Sequence, residues 1–100
     1  MTEKEIDYAI HAIATHYGKK AQSMQTCEEC AELIQAVSKL TRGETSARIL
    51  SLIEEIADVR IMMSQLMLLY GISDLEVTEV MQAKLERQLE RIKRKPENDQ

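Results

Sequence analysis

Two stretches decide how this chain folds: Glu28-Glu29-Cys30-Ala31-Glu32-Leu33-Ile34-Gln35-Ala36, and Leu52-Ile53-Glu54-Glu55-Ile56-Ala57-Asp58-Val59. Both sit inside longer runs whose apolar residues recur at helical spacing. The first belongs to a helix expected from about Lys20 to Thr41, with Met24, Cys27, Cys30, Ile34 and Val37 along one side. The second belongs to a helix that Thr45 or Ser46 can cap and that stops at Gly71. Its apolar residues, Leu52, Ile53, Ile56, Val59, Ile61, Met62, Met63 and Leu66 to Leu69, go almost all the way round, as in a helix covered on several sides.

Working outward, Ile6, Ala9, Ile10 and Ile13 mark an earlier helix from about residue 3, which Gly18 should end. Gly43, in the short loop Arg42-Gly43-Glu44, is expected as a left-handed cap. Ser73-Asp74-Leu75-Glu76 has the form of a capping box, and Leu75, Val80, Met81, Leu85, Leu89 and Ile92 give a last helix its stripe up to about Lys95. Pro96 and the polar residues after it read as a frayed tail over 96–100. The chain of 100 residues has three Gly, one Pro and no Phe or Trp, which suits helices and not strands. The expectation is one all-α domain over residues 1–95, a four-helix bundle-type protomer with short antiparallel connections. So short a chain can hardly cover its third helix alone, and a homodimer or homotetramer is expected.

The net charge of −4 excludes a general binder of polymeric nucleic acid, which needs a basic surface. A membrane span would need about 18 apolar residues in a row, and none occurs; a cytoplasmic protein is expected. Cys27 and Cys30 form a C-x-x-C within a helical pattern, without a second Cys pair or paired His, and read as small core residues and not as a zinc or redox site.

Glu29/Glu32 and Glu55/Asp58 each stand at i, i+3 and project from one side of their helices. At about 100° per residue, Glu29 points within about 20° of Ala36 and Leu40, Glu55 within about 20° of Met62 and Leu66, and Asp58 within about 20° of Leu69. Glu28 turns to the polar side. Either pair alone reads as ordinary helix surface, and Thr26-x-x-Glu29 as a possible capping box. Two pairs turned into apolar stripes on consecutive helices are different: carboxylates gathered there incur a large burial cost or are forced to protonate, whereas a hard cation with oxygen ligands removes the repulsion. Magnesium is the expected cofactor, with manganese as its substitute.

The stretch Tyr17-Gly18 … Gln22 … Glu28 to Ala36, followed by Leu52 to Val59, resembles the MazG-like nucleotide pyrophosphohydrolases in its E-x-x-E … E-x-x-D signature. The resemblance covers roughly residues 17 to 70. It implies magnesium-dependent hydrolysis of a nucleoside or deoxynucleoside triphosphate to the monophosphate and pyrophosphate, with the metal held by Glu29, Glu32, Glu55 and Asp58. Glu32 or Glu55 is the candidate for orienting or deprotonating the attacking water. His16, Tyr17 and Gln22 flank the junction where the resemblance puts the base or ribose. Lys84 and Arg87, on the basic flank of the last helix, are candidates for phosphate oxygens. Two alternatives stay open: a non-catalytic helical oligomer or accessory subunit that binds metal or nucleotide, and an enzyme like phosphoribosyl-ATP pyrophosphohydrolase.

Overall fold

The computed structural model describes residues 1–94. Helix α1 spans Glu3–Thr41, α2 spans Ser46–Tyr70 and α3 spans Asp74–Arg94, with no strand among the described residues. The protein is all-helical. The expected end of the last helix near Lys95 and the expected tail over 96–100 lie outside the described residues.

The first two expected helices are both present and run together as α1, with the expected stop at Gly18 appearing as a kink between them. Gly18, at φ 89° and ψ 171°, is the one non-helical residue inside α1 and kinks it. That conformation is essentially confined to glycine, so the chain changes direction without a loop. Thr2 and Glu5 form a capping box at the start of α1, the Thr2 hydroxyl accepting from the Glu5 N–H and the Thr2 N–H donating to Glu5 Oε1. Thr26 caps nothing: its hydroxyl donates to the Gln22 carbonyl one turn back within the helical stretch that follows Gly18, so Glu29 is not part of a helix start.

The end of α1 differs from expectation. Arg42 caps it in a right-handed conformation, and Gly43, at φ 149°, is not a left-handed cap. Instead the Arg42 and Gly43 N–H groups donate to the carbonyls of Lys39 and Leu40, which tightens the last turn. Thr45 caps α2, and Gly71, left-handed at φ 68°, stops it as expected. Ser73 and Glu76 make the expected capping box before α3. Across that break α2 and α3 are bent by 117°.

Residues 19–41 of α1 run antiparallel to α2, and these two elements hold the core. Ala14, Ala36, Val59 and Met62 are its buried apolar residues. The apolar stripe of the second helical segment mostly points away from this core: Met24, Cys27, Ile34 and Val37 are exposed, and only Cys30 is half-buried. The side of α1 turned to α2 carries Gln22, Glu29, Leu33, Ala36 and Leu40. On α3 no residue is buried, and its apolar stripe is open, with Leu75 67% and Ile92 69% exposed. No single helix is long and apolar enough to cross a membrane among the described residues.

Candidate metal centre

The seam between α1 and α2 is mapped by its facing side chains. Gln22 pairs with Gln65, Glu29 interacts with Asp58, Glu32 approaches Glu55, and Lys39 shares a groove with Arg48 and Ser51. Because each step forward along α1 is matched by a step back along α2, the E-x-x-E and E-x-x-D pairs meet in the middle of the seam. Glu29, Glu32 and Glu55 each offer an oxygen, and these oxygens lie within 4.8 Å of one another. Asp58 stands outside that group of three, but its negative charge acts on both Glu29 and Glu55.

The crowding changes how readily the acids ionise. A hydrogen bond to the Glu32 side chain is the main reason that the Glu29 carboxyl is held above its ordinary range; desolvation and the charges of Asp58 and Glu32 add to it, against a smaller opposite effect from Gln25. Glu55 is raised chiefly by desolvation, then by the charges of Asp58, Glu29 and Glu54. No basic side chain figures among the influences on either group. Glu55 Oε1 is buried and lacks a hydrogen-bond partner. A buried carboxylate oxygen of this kind can accept from water or ligate a cation. An all-oxygen set of mutually repelling carboxylates with one orphaned buried oxygen fits a hard dication such as magnesium.

The other residues singled out from the sequence are scattered. His16 and Tyr17 are exposed beside the Gly18 break and meet edge to face, with ring centroids 4.7 Å apart. Gln22 is buried, its amide donating to Gln65 Oε1 at 2.6 Å. Lys84 and Arg87 lie exposed on α3: Lys84 borders an apolar groove with Val77, Val80 and Met81, and Arg87 lies between Glu86 and Glu90. Three of the four carboxylates are thus brought together with Asp58 near them, whereas Lys84 and Arg87 sit on the helix that bends away.

Sequence reading missed a second set of cations. Ala36, Lys39, Ala47, Arg48 and Ser51 line a groove of about 340 Å³ just beyond the Glu32/Glu55 layer. Small residues on both helices open it, and Arg48 is steadied by a 2.6 Å bond from Nη1 to the Gly43 carbonyl. The signal was available, since Lys39 follows Glu32 and Arg48 precedes Glu55 by two helical turns. Gln65 and Tyr70 were also overlooked. The Tyr70 hydroxyl is 2.8 Å from the Ser23 hydroxyl, and Lys19 Nζ lies 4.8 Å from the centre of its ring. No family model matches the chain, and no similar curated protein or solved structure was found.

Proposed function

We propose that this chain hydrolyses nucleoside or deoxynucleoside triphosphates to the monophosphate and pyrophosphate with magnesium, as its resemblance to MazG-like enzymes implies. The observation that carries this reading is the group of three carboxylate oxygens within 4.8 Å, with Glu55 Oε1 buried and unpartnered. Glu29, Glu32, Glu55 and Asp58 would hold the magnesium. When bound, the ion would neutralise the cluster and polarise phosphate oxygens.

The chain's own residues supply the rest. Glu32 is the exposed member of the three and is reachable by an incoming water, while Glu55 has the raised proton affinity that suits a general base. One of these two takes the proton of the attacking water. Lys39 and Arg48, on the groove past Glu32 and Glu55, would receive the oxygens of the departing pyrophosphate. Lys84 and Arg87 would reach a phosphate only in a larger assembly.

That assembly is part of the proposal. A Cα radius of gyration of 17.3 Å exceeds the roughly 13 Å of a compact domain of this length. The accessible surface of 8180 Å² likewise exceeds the ~5,800 Å² expected for a compact monomer of this mass. A homodimer or homotetramer, in which a second copy completes the four-helix packing over the exposed stripes of α1 and α3, would remove that excess. Assay of a triphosphate panel for pyrophosphate release with magnesium or manganese tests the function, which is wrong if no nucleotide is cleaved.

A further inference from the structure

We infer that the buried Gln22–Gln65 pair is a register pin that positions the carboxylates of the metal centre without touching the metal; this rests on the metal-centre reading above. Gln22, 6% exposed, and Gln65, 1% exposed, are the only buried polar side chains among the described residues. Their amides meet at 2.6 Å across the same α1–α2 seam that carries the acids. Gln22 lies seven residues before Glu29, and Gln65 lies seven residues after Asp58. The amide bond and the Glu29/Asp58 contact therefore belong to one antiparallel alignment, two helical turns apart.

The seam's buried apolar residues, Ala36, Val59 and Met62, are driven together by burial, which carries no directional bond. A buried amide pair does have direction: slipping α2 by one turn, about 5 Å, would leave both amides desolvated and unbonded. Buried polar residues fix the register of coiled coils in the same way. The same slip would carry Glu55 and Asp58 past Glu32 and Glu29 and open the ligand set. The Ser23–Tyr70 bond also ties the helices, but it is exposed and water can replace either partner. With its amide committed to Gln65, Gln22 acts as a positioning residue and not as a contact to the base.

The test uses the full chain with Gln22→Met/Gln65→Met, which keeps side-chain volume, and Gln22→Leu/Gln65→Leu as a second variant. Two quantities are read: Mn²⁺ affinity, by electron paramagnetic resonance of the free ion, and the rate of disulfide formation between Ala36→Cys and Ser51→Cys in a Cys27→Ala/Cys30→Ala background. The expected result is a folded, helical protein in which Mn²⁺ binding weakens at least tenfold and cross-linking slows by a similar factor. Unchanged affinity and unchanged cross-linking in a folded variant overturn the inference, and so does failure of both variants to fold, because the pair is then needed for packing. Should the parent protein bind no Mn²⁺, the metal reading fails, while the cross-linking rate still decides whether the amides set the register.

Discussion

Glu32 and Glu55 stand opposite each other across the α1–α2 seam, and with Glu29 they bring three carboxylate oxygens within 4.8 Å. The two helices join through a short loop over residues 42–45 and return antiparallel, so two acidic pairs far apart in sequence converge. What the carboxylates do to one another gives the first test.

Glu29 and Glu55 both hold their protons more tightly in the folded chain than an ordinary Glu, whose pKa is about 4.3. Such groups favour folding below that value, and their contribution is lost as pH rises through the raised values. Glu5 and Glu76, lowered by their bonds to Thr2 and Ser73, act oppositely: their contribution is present above the ordinary value and is lost as pH falls through the lowered values. Above the ordinary Glu range the metal-free Tm should therefore fall as pH rises through the range in which Glu29 and Glu55 ionise. Magnesium should raise Tm more at pH 8 than at pH 5, because protons compete for its ligands. Thermal melts with and without magnesium measure this, and a magnesium effect independent of pH would contradict it.

Lys39→Ala and Arg48→Ala should each lower kcat/KM by about 10- to 100-fold, the loss expected for one charge-assisted contact to phosphate. Lys84→Ala should have a smaller effect. Steady-state kinetics on the cleaved nucleotide decides between the two sets of cations.

Much of this was readable from the sequence and some was not. Helical periodicity, Thr45, Gly71 and the Ser73/Glu76 box placed the helices, because caps and glycines act locally. The facing of Glu29 toward Ala36 and of Glu55 toward Met62 followed from helical geometry, and both neighbours are buried. Which side of residues 19–41 faces α2 was not legible from hydrophobicity alone. The seam is built instead from Gln22, Glu29, Ala36 and Gln65, polar or small residues whose burial depends on a partner across the chain. The pattern Met24, Ile34 and Val37 marks a surface that this fold leaves open.

Gly18→Ala should destabilise the protein by about 1–3 kcal/mol, the cost of holding a non-glycine residue in this conformation. Nothing lies within 4 Å of the added Cβ, so the effect comes from the backbone alone. Chemical denaturation measures it. A loss below about 0.5 kcal/mol would mean that the chain tolerates a straight α1.

Sedimentation at micromolar concentration should show a dimer or tetramer, and polar replacement of Leu85 and Leu89 on the open stripe of α3 should shift it toward monomer. A folded, active monomer would show that the exposed stripes serve some other purpose.

The most direct measurement is pyrophosphate release from a panel of nucleoside and deoxynucleoside triphosphates, comparing the parent chain with Glu55→Gln in the presence of magnesium. The expected result is release by the parent chain that chelation abolishes, and a loss of at least about 100-fold in a Glu55→Gln variant that still folds. Magnesium or nucleotide binding by calorimetry without any product would contradict the enzyme and leave a non-catalytic binder; release that survives Glu55→Gln unchanged would contradict the assignment of the centre.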